Sequence, residues 1–263
     1  MDNTITPLVL IPAQRHELIL KHLARNKIAS CAGLSKILNV SESTIRRDLE
    51  ILDRQGVIER TRGGAILNQR IRVETEYMQR AQQYIDEKQR IGFAAAEIIR
   101  EGDIVFVNSG TTTAQVIRHI HGKSNVTVIT NNTTALVDAH DIDFELVLLG
   151  GFFLPRSNAV IGPFATDNLR NVFATKCIIG IDGISIRYGC TVPTSAEAEV
   201  VRTMMENTQG SVIIVSDHSK WGSVSNYRIA RIDQINTFIT DDILDPAARV
   251  DLAARAVDVI IAK

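Results

Sequence analysis

The stretch VSESTIRRDLEILDRQGVIERTRGGA, Val40 to Ala65, reads as an amphipathic helix, a turn and a basic hairpin. At about 100° per residue, Ile45, Leu49 and Leu52 share one side of the helix. Ser43, Arg47, Glu50 and Arg54 fall on the opposite side, with Arg46 on the flank and Thr44 in the first turn. Adjacent arginines near a helix start sit where the macrodipole disfavours cations. An external anion resolves that conflict, and helix N-termini attract phosphate. After Gly56, residues Val57–Thr61 and Ala65–Leu67 are placed to pair around Arg62-Gly63-Gly64, which leaves Arg60 and Arg62 for a nucleic-acid backbone or minor groove.

Working outward, two helices precede this one. IPAQRHELILKHLARN carries Pro12 near its first turn, which the fixed proline φ favours, and an apolar stripe of Leu18, Ile19 and Leu23. SCAGLSKIL follows, with Ser30 as its N-cap and Leu34, Ile37 and Leu38 expected to face inward. Asn39 tolerates the left-handed backbone of a tight turn, and Ser41 caps the third helix. Three helices in this order predict a helix-turn-helix whose reading helix enters the major groove by its N-terminal end. There arginine pairs with guanine, and serine or threonine with bases or phosphates. Charge agrees: residues 1–72 hold 12 Lys and Arg against 7 Asp and Glu, a net of +5, while the rest of the chain carries −6. Such an asymmetry suits a polyanion-binding module on a separately employed body.

The 263 residues are enough for a small and a large domain. No apolar run approaches the roughly 18 residues of a membrane span, the N-terminus shows no signal-peptide pattern, and three widely spaced cysteines (Cys31, Cys177, Cys190) fit neither a disulfide framework nor a zinc site. A cytoplasmic protein without membrane contact is expected. Residues 68–90 lack Gly, Pro and Ser, which predicts an ordered connection running into the helix DEKQRIGFAAAEIIR. Beyond it, strands are expected at DIVFV, VTVIT, FELVLL, KCIIGI, SVIIVS, TFIT and VDVIIA, separated by helices. Near-continuous apolar strands alternating with helices imply a parallel sheet covered on both faces, with ligands at the strands' carboxyl ends.

Those ends are polar. NSGTTT (108–113) runs from a strand into a helix, offering backbone N–H groups and hydroxyls suited to a phosphate. TNN (130–132), Gly150-Gly151, Asp182-Gly183 and DHSK (217–220) end further strands, and Lys220 can neutralise an anion. Together they imply a polyhydroxylated anionic ligand. HGKS (121–124) is no nucleotide loop, because Ile117 stands where the first glycine is needed. No metal-ligand spacing and no nucleophile elbow is present, so no metal, cofactor or catalytic residue is expected.

The segment LSKILNVSESTIRRDLEILDRQGVIERTRGGA resembles the winged helix-turn-helix of the DeoR family of bacterial transcription regulators, and SGTTT, TNN, LLGG, IGIDGI, EAEVVRTMMENT and VSDHSKWG resemble its sensor domain. The resemblance implies a winged helix-turn-helix at 1–68, a linker at 69–85 and a Rossmann-like α/β domain at 86–263, similar in fold to ribose-5-phosphate isomerase and glucosamine-6-phosphate deaminase. It implies a repressor of a sugar-metabolism operon, a homodimer or homotetramer, with operator DNA contacted by Ser41, Ser43, Thr44, Arg46, Arg47, Arg54, Arg60 and Arg62. A phosphorylated sugar would be the effector, its phosphate on Ser109, Gly110, Thr111, Thr112 and Thr113, with Asn131, Gly151, Asp182, Glu197 and Lys220 around the sugar. The loop GISIRYGCTVPTSAEAE departs from a simple polar lining. The alternative is a sugar-phosphate isomerase or deaminase with an appended DNA-binding domain, using Asp182, Glu197, Asp217 or His218 as acids and bases.

Overall fold

Alternating side-chain direction explains the larger part of the molecule. Val105 and Val107 face one side of a sheet and Phe106 the other; Ile213 and Val215 are likewise separated from Val212 and Ile214. Both faces are therefore buried, as a parallel sheet requires. The computed structural model describes residues 10–26, 28–55, 57–61, 63–67, 77–137 and 142–263. The described chain falls into two compact units, divided between Glu76 and Tyr77.

In the first unit, α1 (Pro12–Asn26), β1 (Ile28–Ser30), α2 (Cys31–Leu38), α3 (Glu42–Arg54), β2 (Ile58–Thr61) and β3 (Gly64–Leu67) follow one another. The strands form an antiparallel sheet in the order β1-β3-β2. Ser30 caps α2 by accepting from Gly33 N, Asn39 is left-handed at φ 51°, and Ser41 caps α3 by accepting from Thr44 N. Ile19, Leu23, Leu34, Ile45, Leu49, Leu52 and Ile58 close a single core. Two expected core residues do not join it: Ile37 is 57% exposed and Leu18 39%. The apolar stripe on each short helix is narrower than the sequence suggests, because each helix packs against its neighbours along one line only. Strand β1 was not expected; it brings Ala29 O within 2.0 Å of where a Cβ on Gly64 would stand, so only glycine fits there.

The second unit begins with a helical turn at 77–82 and continues through α4 (Ile85–Ile98), β4 (Ile104–Val107), α5 (Thr111–Arg118), β5 (Thr127–Thr130), β6 (Glu145–Leu148), β7 (Phe152–Leu154), β8 (Ala159–Ile161), α6 (Pro163–Leu169) and β9 (Ala174–Gly180). It then runs through β10 (Gly183–Ser185), β11 (Gly189–Val192), α7 (Ser195–Glu206), β12 (Thr208–Val215), β13 (Tyr227–Ala230), β14 (Thr237–Asp241), α8 (Pro246–Ala253) and β15 (Asp258–Ala262). All seven expected strands lie in one parallel sheet, in the order β15-β14-β12-β9-β4-β5-β6. From β4 the order runs one way to β6 and then returns to build β9 to β15 on the other side. The reversal falls between β4 and β9, where open α/β sheets bind ligands. The β7–β8 hairpin and the β10-β11-β13 sheet are additions that the strand-helix alternation did not reveal.

Candidate functional site

On α3 the expected reading face is open to solvent: Ser43, Arg46, Arg47 and Arg54 are exposed and Thr44 is half-buried. Arg46 pairs with Glu42 at 3.5 Å, an exposed contact of little energetic weight. Ser41 is turned to capping, 2.8 Å from the hydroxyls of Ser43 and Thr44. Arg60 is exposed on β2; Arg62 lies outside the described residues. The face is held by Asp48, a buried carboxylate on the inner side of α3 that sequence reasoning passed over. Arg15 donates to both its oxygens, at 2.8 and 2.9 Å, and His16 Nε2 lies 3.1 Å away. The hydrogen bonds to Asp48 raise the Arg15 pKa. The available signal was the adjacent Arg15 and His16 on α1.

In the larger unit the cleft at the strand-order reversal is lined by Asn108–Thr112, Asn131, Ser157, Gly180–Asp182, Val192, Glu197, Val201, Asp217, Lys220, and Arg80, Gln83, Tyr84 and Lys88. Of the expected effector residues, Ser109, Gly110, Thr111, Thr112, Asn131, Asp182, Glu197 and Lys220 meet there. Two do not. Thr113 is fully buried, its hydroxyl turned back onto Gly110 O at 3.1 Å, because the first turn of α5 carries that side chain toward Gly180. Gly151 packs on the β7–β8 hairpin instead: at φ 154°, a Cβ there would be 2.6 Å from Ile161 O.

The chemistry of the lining is specific. No side chain caps α5, so its first-turn N–H groups face the cleft beside the hydroxyls of Ser109, Thr111 and Thr112. Asn131 fixes the loop, accepting from Ser109 N at 2.8 Å. Glu197 is committed to the protein's own hydroxyls, accepting from Ser157 at 2.5 Å and Thr194 at 2.7 Å. Asp217 accepts from Ser219 N at 3.1 Å. Asp182 keeps most of its acceptor capacity, since its side-chain partner Arg80 stands 3.5 Å away. Burial raises its pKa, against the pull of Arg80, and the nearby Glu197 adds to the rise. Among the described residues the Lys220 ammonium has no hydrogen-bonded partner. The unusual 183–199 loop is the β10–β11 hairpin and the start of α7; it contributes Val192 to the cleft. Cys190 is buried in it, which pushes its thiol up to about 12.

Sequence reasoning missed Arg80, Gln83, Tyr84 and Lys88, which lie in or just after the segment expected to be a linker. Lys88 is 4% exposed, and burial lowers its pKa to about 8. The surplus cation of HGKS is also explained: Lys123 donates to Ala96 O and Ile99 O at 2.6 and 2.8 Å, closing the end of α4. Among the described residues no helix is long and apolar enough to cross a membrane, and the three cysteines are buried and free.

The family model of the DeoR-like helix-turn-helix domain matches residues 15–70, and that of the DeoR C terminal sensor domain matches 83–242. The chain is 32% identical to the HTH-type transcriptional regulator GlpR of Haloferax volcanii, over 95% of this chain and 98% of that protein. It is 34% identical to the HTH-type transcriptional repressor GlcR of Bacillus subtilis, over 85% and 86%. Ribose 5-phosphate isomerase A from Methanocaldococcus jannaschii is similar at a TM-score of 0.39 and 15% identity, over 53% of this chain and 55% of that one. With both halves matched in order and relatives aligned nearly end to end, the chain belongs to the DeoR family of transcription regulators.

Proposed function

We propose that the protein represses a sugar-metabolism operon and that a phosphorylated sugar in the cleft relieves the repression. The observation that carries this reading is the uncapped N-terminus of α5 at the strand-order reversal, flanked by Lys220 and by Asp182 with spare acceptor capacity. The phosphate takes the N–H groups and hydroxyls of Ser109–Thr112, Lys220 adds a counter-charge, and Asp182 takes sugar hydroxyls, while Asn131 holds the phosphate loop in place. Glu197 and Asp217 already accept from the protein's own donors, which suits recognition better than proton transfer. The head reads operator DNA through Ser43, Arg46 and Arg47, with Ser41, Thr44, Arg54 and Arg60 toward the backbone. One reading head per chain suits a homodimer or homotetramer on a two-fold operator.

The test is a thermal-shift screen of pentose and hexose phosphates on the full chain, followed by operator titration with each hit. A true effector raises the melting temperature by mass action and weakens operator binding. A sugar phosphate that is isomerised or deaminated by the protein would replace this reading with the enzymatic one.

A further inference from the structure

Residues 77–84 form one wall of the cleft, and several separate contacts fasten it. Buried Tyr77 donates to the Thr134 hydroxyl at 3.2 Å. Arg80 donates to Arg156 O at 2.7 Å and faces Asp182 at 3.5 Å. The Tyr84 ring meets the His218 ring edge-on at 4.9 Å, and His218 Nδ1 is held 3.0 Å from the fully buried Asp241. From the next helix, Lys88 Nζ donates to Arg80 O at 2.5 Å and Gln83 O at 2.6 Å. Those carbonyls lie at the end of the 77–82 helix, where intrahelical partners run out. A buried ammonium is a costly cap, and this one sits in the same cleft as Lys220 and Arg80.

The wall also has a joint. Tyr84 adopts φ 53° and ψ 44°, a left-handed conformation that strains a bulky residue and persists only where the surroundings hold it. The Arg80–Asp182 pair is the loosest of these hydrogen-bonded fastenings. At 3.5 Å it is well short of a charge-assisted hydrogen bond, which closes to about 2.7–2.9 Å. A hydroxylated anion improves both partners at once: its hydroxyls satisfy Asp182 and its negative charge draws the guanidinium.

We propose that residues 77–84 are the ligand-responsive wall of the sensor, with Arg80 as the residue that reads the ligand. This rests on the reading of the cleft as a sugar-phosphate site and adds how occupancy is registered. Arg80 transfers from Asp182 to the ligand's anionic group, and the wall resettles about Tyr84. In sequence, residues 77–84 open the sensor unit and follow the DNA-reading head. Arg80 gives up a long, partly solvated pair and gains short charge-assisted bonds, which supplies the differential affinity that a conformational shift requires.

Hydrogen exchange on the full chain tests this, with inorganic phosphate, ribose 5-phosphate, glucose 6-phosphate and fructose 1-phosphate as probes. A sugar phosphate that binds should alter exchange at both 109–113 and 77–84. Arg80→Ala should weaken it roughly tenfold to a hundredfold and abolish the change at 77–84 while that at 109–113 persists. Arg80→Gln, which retains a donor for Arg156 O, should behave likewise and guards against misfolding. Lys88→Met should raise exchange across 77–84 with no probe added. A sugar phosphate bound by Arg80→Ala as tightly as by the wild type, or bound without any change at 77–84, overturns the wall inference alone. Failure of every probe to bind overturns the reading of the cleft and this inference with it.

Discussion

Asn108 and Gly180 are bonded to each other twice across the point where the strand order reverses. Gly180 N donates to Asn108 Oδ1 at 2.7 Å, and Asn108 Nδ2 donates to Gly180 O at 2.9 Å. The asparagine side chain extends the ladder between β4 and β9 by one rung, where the chain leaves both strands to build the cleft. It holds the 108–112 loop and the Gly180–Asp182 turn at a fixed separation.

Asn108→Asp should therefore disrupt more than its size suggests. It removes the donor to Gly180 O and turns a carboxylate oxygen toward that buried carbonyl. The loss should be about 2–4 kcal/mol, one unsatisfied buried acceptor plus a poorly solvated charge. Urea unfolding of the full chain, followed by far-ultraviolet dichroism, measures it; an unchanged midpoint would show that the two turns hold their spacing without this bridge.

Gly92 carries a second prediction. It lies inside α4, where glycine costs about 0.5–1 kcal/mol relative to alanine. The compensation is proximity: a Cβ there would stand 2.6 Å from the Gln115 carbonyl carbon and 2.8 Å from its oxygen. Gly92→Ala, nominally a helix-strengthening change, should instead destabilise the domain by about 1–3 kcal/mol. Because it displaces α5, it should also weaken sugar-phosphate binding. A rise in melting temperature would contradict the close packing of these helices.

Lys88 should make both stability and binding depend on pH. Burial lowers its pKa from 10.5 to about 8 in the fold, with Lys220 and Arg80 opposing its charge and Asp217 favouring it. Between those values the unfolded chain binds more protons than the folded one, so this lysine's contribution to stability rises as pH climbs through the window. Below about pH 8 both states are charged, and the burial penalty is constant. An anion in the cleft raises the lysine's pKa again, so binding at pH 8 to 9 should take up a fraction of a proton. Calorimetry in two buffers of different ionisation heat measures the uptake; Lys88→Met should remove it and flatten the pH-dependence of stability.

What the sequence revealed followed from burial. Strands such as VTVIT and SVIIVS are legible because both faces of a parallel sheet are apolar, and the caps Ser30 and Ser41 because few residues can do that work. The β7–β8 and β10–β11 hairpins were not, being short and lying off the strand-helix alternation; Phe152 and Phe153 are exposed in the former. Arg80 and Lys88 sit in a run of Gln, Arg and Glu that reads as a solvated helix, and only the fold shows Lys88 closed over. Thr113 and Gly151 lie outside the cleft lining for the opposite reason. Each belongs to a polar strand-end motif, but one faces back into its own helix turn and the other into a hairpin.

The head yields the most direct test of how position and reading are divided on one helix. Asp48 and Arg47 are neighbours in sequence, about 100° apart around α3, and differ in exposure: Asp48 is buried beneath Arg15 and His16, while Arg47 is exposed. Asp48→Ala strips a mostly buried guanidinium of its partner and loosens α1 from α3, and should cost about 3–5 kcal/mol of head stability. Operator and random-sequence binding should then fall together. Arg47→Ala should leave the unfolding free energy within about 0.5 kcal/mol of wild type but cost about 1–3 kcal/mol of operator affinity and relax specificity at one base. Titrations of both variants against operator and scrambled duplexes, over a salt series, separate the two. If Arg47→Ala weakens both duplexes equally and reduces the salt slope by about one charge, Arg47 is a phosphate contact and base reading falls to Ser43 and Arg46.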